Sequence, residues 1–330
     1  MWPQALARDH SLSSDAVQDL PVGRLVIPAR LVTYAALALL ILIWGTTWAA
    51  IRVGLEGIPP FAGVALRFAI AAVVLLAAAR HLGVRLDTGA RTRWLWLVNG
   101  LFTFSVPYGI VYWAEQWIPS GLAAVLFSTF PLFVAVVAHR LLPGERLTRL
   151  SLAGIVIGLF GVVVIFSDDL AALGGRQTFL ASLVFLVSPA VSATASVVIK
   201  RWGSGIHPLS LTSVPMALTA VVMGGLSLVF ERPSAMRLDA ASVGALFYLA
   251  VMGSAVTFSI YFWLLARLSA TRLSLITYAI PIVAVLVGSV FLGEAFTPRM
   301  AAGTALVLGG AALALRGRRP AGLAADRVAP

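Results

Sequence analysis

The chain alternates long apolar runs with short polar connections. Ten runs reach about 20 mostly apolar residues, the length a helix needs to cross a bilayer: 32–52, 60–80, 93–113, 120–139, 148–167, 178–199, 208–230, 241–263, 272–292 and 299–316. Helix-start signals stand at their edges. Pro60, Pro208 and Pro298 lie near first-turn positions, where a missing N–H costs little. Ser120, Thr148, Asp239 and Thr297 are placed to cap first turns. The pattern predicts a chain of ten membrane-crossing helices. The alternative is nine crossings with one weak segment re-entrant.

Two runs contain a proline where bilayer offers no water to compensate a lost hydrogen bond. One is "SGLAAVLFSTFPLFVAV" (120–136) with Pro131, and the other is "RLSLITYAIPIVAVLV" (272–287) with Pro281. Setting Pro131 against Pro281 also pairs Trp113 with Trp263, Val137 with Val287 and Leu142 with Leu292. One residue out of that register, Glu145 meets Glu294, Thr148 meets Thr297, Gly154 meets Gly303 and Gly161 meets Gly310. Nearer the front, Ile51, Arg52 and Pro60 pair with Ile199, Lys200 and Pro208. The ordered matches imply an internal duplication of five runs each. Five is odd, so the second copy enters the membrane from the opposite face. The expected fold is an all-α integral membrane protein, with ten transmembrane helices as two inverted five-helix repeats around a central cavity. Residues 32–167 and 178–316 form the repeats, flanked by cytoplasmic tails at 1–31 and 317–330. Pro131 frees the carbonyl of Phe127 and Pro281 that of Thr277. Ser128, Thr129 and Thr277 offer hydroxyls to re-satisfy them.

Composition agrees: 60% of the 330 residues are hydrophobic and 11% charged, far from the soluble average of about 25% charged. There is no cysteine, which excludes disulfides and thiolate ligands, and none of the four histidines is spaced as a metal ligand. No metal or cofactor is expected. The net charge of +11 raises the question of nucleic acid. With the N-terminus inside, eighteen of the 24 basic residues fall on cytoplasmic segments, and Asp168–Asp169 falls outside. That distribution accounts for the charge by membrane orientation, leaving a lipid bilayer and no nucleic acid as the partner. The expected setting is the cytoplasmic membrane with both termini inside.

"WGTTWAAIRVGLEGIPPFAGVALRFAIAA" (44–72) resembles the opening of an EamA-type unit of the drug/metabolite transporter superfamily. "SGLAAVLFSTFPLFVAVVAHRLLPGERLT" (120–148) resembles that unit's closing half, and "PIVAVLVGSVFLGEAFTPRMAAGTALVLGGAAL" (281–313) repeats it. The resemblance implies two inverted five-helix units around a cavity, and transport of small organic metabolites, often outward. The second copy departs from the pattern: Ser192–Ala193 stand where Trp44–Gly45 stand, and Pro215 where Arg67 stands.

The candidate chemistry lies inside the runs. Arg67, about two turns deep, reads either as an anchor for an anionic group or as a structural arginine that reaches the interface or caps carbonyls of the first helix. Tyr108, Tyr112 and Glu115 share one helical face. The tyrosines read as cavity lining or as part of an aromatic belt, to which Trp117 also belongs. Glu115 is the candidate for proton coupling, against a solvated carboxylate at a loop edge. Asn99, Thr46, Thr47, Ser188 and Ser192 can bind substrate or bond between helices. Trp44, Tyr261, Trp263 and Tyr278 are further lining candidates. Glu145 and Glu294 read as capping groups, and His139 as an interface residue. The glycines and alanines of 153–161 and 301–310 mark close-packing helices that can also serve a dimer face. Monomer and homodimer both remain open.

No phosphate-binding loop, nucleophile elbow or histidine–carboxylate pair occurs, so primary pumping by this chain alone and enzymatic catalysis are disfavoured. No charge ring or filter segment marks a channel. The expected function is secondary transport of a small organic metabolite or amino acid by alternating access, with a lipid or amphiphile flippase as the alternative.

Overall fold

In a computed structural model, the structure describes residues 29–143, 145, 147–166, 175–274, 276–294 and 296–316. Most of both expected tails, Arg146 and the Asp168–Asp169 pair lie outside them. The described residues are helical with no strand. Helix α1 spans Ala29–Leu55, α2 Pro60–His81 and α3 Ala90–Ala114, the last with a π-helical turn over Gly100–Ser105. Helix α4 is broken into α4a (Ser120–Phe127) and α4b (Phe130–Leu141), and α5 covers Arg149–Phe166. Helix α6 is broken at Leu186 into α6a (Gly175–Phe185) and α6b (Val187–Trp202). Then come α7 (Pro208–Phe230) and α8 (Ala240–Arg267), which carries a π-helical turn over Val251–Val256. Helix α9 consists of α9a (Ala270–Ser274) and α9b (Ile276–Leu292), and α10 is Pro298–Arg316.

Among the described residues, seven helices are long and apolar enough to cross a membrane: α1 from Leu31, α2, α3, α4, α6, α7 and α8. The apolar stretches Arg149–Gly161 of α5 and Ile276–Leu292 of α9b are shorter. The expected ten runs therefore meet seven by this measure. Residue 275, between α9a and α9b, lies outside the described residues.

Capping follows the expected residues in three of four places. The Ser242 N–H donates to Asp239 at 2.8 Å, and this bond, with the Ser242 hydroxyl, holds the Asp239 carboxyl below its usual range. Thr148 accepts from the Ser151 N–H and Thr297 from the Met300 N–H, each at 3.1 Å. Ser120 differs. It is the first residue of α4a, and its N–H (2.7 Å), its hydroxyl (2.8 Å) and the Gly121 N–H (2.9 Å) all donate to Glu294. A carboxylate from a remote loop thus satisfies the orphan donors and the positive end of the helix dipole. Gly293, at φ +66°, makes the turn that delivers it. Likewise, the Thr271 hydroxyl of α9a donates to Glu145. Glu231, beyond α7, accepts the N–H groups of Phe61 (2.7 Å) and Ala62 (2.9 Å) at the start of α2.

Pro131 enters α4b in its first turn, where the break at Ser128–Thr129 has already released the helix. The hydroxyls of Ser128 and Thr129 donate to Val125 (2.5 Å) and Leu126 (2.8 Å), not to Phe127 as expected. A short hydroxyl side chain on a helical turn reaches the carbonyl three residues back. Pro281 lies inside α9b, and the Thr277 hydroxyl donates to Ser274 at 2.7 Å by the same geometry.

The principal packed pairs are α5 with α10, α2 with α7, α1 with α9b, α4b with α6b, α1 with α8, α3 with α6b, and α4a with α9b. Helices α5 and α10 meet backbone to backbone. A methyl on Gly154 would strike Ala314 and Gly310, and one on Gly161 would come within 2.7 Å of the Gly303 carbonyl. The expected packing role of these small residues is met on each other. Val73, Val221, Leu228, Val229, Val290 and Phe291 point outward, more than two-thirds exposed. An apolar exterior of this kind is solvated by lipid, not water.

Candidate functional site

A cavity opens where α1, α2, α3 and α4 face α6b, α8 and α9, with an empty volume of about 850 Å³ including its mouth. Its wall is mostly aromatic and aliphatic. Trp44 tilts against Phe258 and Tyr261, with ring centroids 5.3 and 5.6 Å apart, and Trp48 lies 5.5 Å from Phe127. The polar groups are placed among these rings. Ser188, Ser192 and Ser196 stand one turn apart along α6b. The Ser196 and Tyr261 hydroxyls bond at 2.7 Å, and Ser188 donates to the Pro107 carbonyl of α3 at 3.3 Å. Thr47 donates to its own helix at Trp44, 2.8 Å away, while the Trp44 indole donates to Thr257 at 3.1 Å.

Arg67 is 1% exposed and lines this cavity. Its Nε donates to Ser254 at 2.7 Å, Nη2 to the Gly253 carbonyl at 3.0 Å and Nη1 to the Tyr112 hydroxyl at 3.3 Å. The guanidinium sits 4.8 Å from the centre of the Tyr108 ring. It does not reach the interface or cap the first helix. It caps α8, because the π-helical turn at Val251–Val256 leaves backbone carbonyls outside the regular ladder. The matching turn in α3 is met more modestly: the Thr219 hydroxyl of α7 donates to the Gly100 carbonyl at 3.0 Å.

Of the expected lining residues, Trp44, Thr47, Arg67, Tyr108, Ser188, Ser192 and Tyr261 meet at this cavity. Five are placed elsewhere. Thr46 bonds back to Ile43 at 2.8 Å and to the Tyr248 hydroxyl of α8. Asn99 donates to the Leu211 carbonyl of α7, an inter-helix bond. Tyr112 stands behind Arg67 as its hydrogen-bond acceptor. Tyr278 packs on the small cluster of Leu132, Ala135, Ile155 and Ala314. Trp263 lies under the Arg267 guanidinium, 4.0 Å from it. His139 accepts the Leu147 N–H at 3.1 Å.

Glu115, just past α3, is not a solvated loop carboxylate. It is fully buried, and neither carboxylate oxygen has a hydrogen-bond partner. Arg52 donates to its backbone carbonyl instead. Burial, then the nearby Glu294, push its carboxyl well above the usual range, against the pull of Arg52 and Arg67.

The model of the EamA-like transporter family matches residues 31–167 and again 179–316. The chain belongs to the EamA-like transporter family. It is therefore a multi-pass membrane transporter and not an enzyme. It is 31% identical to an uncharacterized transporter of Archaeoglobus fulgidus over 86% of this chain and 99% of that protein. It is 31% identical to a probable terminal-alkyne amino-acid exporter of Streptantibioticus cattleyicolor, over 86% of this chain and 94% of the other. A crystal structure of a protein aligns with TM-score 0.67 at 24% identity, covering 87% of this chain and 99% of the other, which speaks for the fold alone.

Several cavity residues of this EamA-like transporter escape sequence reading. Trp48 follows Trp44 by one turn, and Ser196 follows Ser188 and Ser192 at the same spacing, so helical periodicity carried a signal for both. Phe258 and Phe262 flank Tyr261 at neighbouring positions of one face. Thr103 carried none: it falls in the π-helical turn of α3, which shifts the register that a regular helix would impose.

Proposed function

We infer that this EamA-like transporter moves a small organic metabolite or amino acid across the cytoplasmic membrane by alternating access, in the outward direction. The observation that carries the reading is the cavity, whose wall is divided between α1–α4 and α6b–α9. The proposed organisation is two inverted repeats, 32–167 and 178–316. Exchanging α1–α5 for α6–α10 turns the pair α1–α9b into α6b–α4b and α1–α8 into α6b–α3, and leaves α2–α7, α5–α10 and α4–α9 as themselves. The two π-helical turns are matched, in α3 with α8, and Pro131 and Pro281 stand in corresponding helices, α4 and α9, whereas the break in α6 has no counterpart in α1. A packing scheme that maps onto itself supports two states of equal topology, in which one half rocks on the other. The arginine distribution supports termini on the cytoplasmic side. The name of the Streptantibioticus relative supports amino acids as solutes and export as direction.

Glu115 is the proposed proton-coupling group, supported by its burial without a partner. Purified protein in proteoliposomes is tested by counterflow against amino acids and organic acids, with and without an imposed pH gradient. Accumulation of at least one solute is expected, accelerated by the gradient in the native protein and not in Glu115→Gln. Uptake indifferent to the gradient removes Glu115 from coupling, and uptake of no solute removes transport through this cavity.

A further inference from the structure

Resting on the reading of the cavity as a solute site, we propose that its preferred solute is a small apolar organic acid, recognised through its carboxylate and carrying no free ammonium group. Among the described residues, Arg67 is the one formally charged side chain on the wall, and no aspartate or glutamate lines it. All three hydrogen-bond partners of Arg67 are uncharged: two hydroxyls and a backbone carbonyl. Such partners orient the guanidinium without neutralising it. Glu115, which attracts Arg67 electrostatically, lies off the wall and makes no hydrogen bond to it, so a bound anion adds the direct pairing that this buried cation lacks.

Two further groups on the wall lack partners. The Trp48 indole N–H and the Thr103 hydroxyl are buried and unsatisfied. An indole nitrogen can only donate. The unmet demand is therefore for an acceptor, and a carboxylate supplies acceptors and charge together. The hydroxyls of Thr47, Ser188 and Thr277 donate to backbone carbonyls, so their remaining capacity is acceptance by neutral oxygens. No described residue of the wall offers an ammonium the counter-charge it needs. The remaining wall, with Trp44, Phe127, Phe258 and Tyr261, suits a flat apolar body.

Three probes share one ring system and differ in charge: indole-3-acetate, tryptophan and tryptamine. Binding to the full-length protein is read by thermal stabilisation and uptake by counterflow. Indole-3-acetate is expected to bind about tenfold more tightly than tryptophan, with tryptamine weakest. Arg67→Gln should bring the three to within about twofold of one another. Should that variant fail to fold, Trp48→Phe keeps an aromatic side chain and removes the unmet donor. It should weaken indole-3-acetate by about fivefold and leave tryptamine unchanged. Tryptamine binding as tightly as indole-3-acetate, or an order untouched by either substitution, overturns the proposal. Ser192→Trp separates this from the reading beneath it by filling the cavity. If that variant abolishes uptake of some other solute while the charge order fails, the cavity stands and the acid preference falls. If uptake persists in Ser192→Trp, the cavity itself is wrong.

Discussion

Arg67 and Glu115 are both buried ionisable groups, but their surroundings treat them differently. Arg67 has three neutral hydrogen-bond partners and an aromatic ring at its face, whereas the Glu115 carboxyl has none. Both were visible in the sequence as charges among apolar residues. Their partners were not, because Gly253, Ser254 and Glu294 lie far along the chain and come near only through folding. The consequence for Glu115 is a pH dependence of stability. Its folded-state affinity for a proton exceeds that of the unfolded chain, so the folded state holds the extra proton. Stability then falls as pH rises from the usual glutamate range, near 4.3, toward the raised value. Glu115→Gln, which cannot ionise, should unfold at a higher temperature than the native protein, by a margin that widens from pH 5 to pH 8. A margin constant with pH would contradict the buried, ionisable carboxyl.

At the scale of elements, hydropathy placed each helix close to where it lies, because the requirement to satisfy backbone groups inside a bilayer is local. The interruptions were less legible. Pro131 announced the discontinuity of α4, whereas Pro281 lies inside α9b; Pro189, three residues past the break in α6, and Pro107, two past the π-helical turn of α3, went unread as signals, and the turn of α8 has no proline in it or just after it. Those features are stabilised across helices, as Arg67 does for α8 and Thr219 for α3. The glycine stripes of α5 and α10 were legible as close-packing surfaces, though not their mutual contact. Gly154→Leu should force the two backbones apart and cost about 1–3 kcal/mol of stability. Detergent thermal unfolding of this variant beside Gly309→Leu checks it, since a side chain at Gly309 meets open space. Equal loss in both would contradict the α5–α10 contact as the source.

For the whole molecule, residues 44–130 and 188–280 both contribute to the wall of one cavity, as the proposed two-repeat organisation requires. The chemical difference between the walls was also foreshadowed: the first half brings Trp44 and Arg67, the second Ser192 and Tyr261. The sequence could not place the carboxylate-binding donors, since Trp48 and Thr103 become unmet donors only when neighbouring helices close around them. The account requires that one cavity open to each side of the membrane in turn. The chain has no cysteine, so Ser192→Cys introduces a single reactive group on the cavity wall. The most direct measurement is its labelling by a membrane-impermeant thiol reagent in oriented vesicles, from each side separately, with and without indole-3-acetate. Alternating access predicts labelling from both sides and protection by the solute. Labelling from one side alone, or without protection by any solute the protein carries, would contradict it.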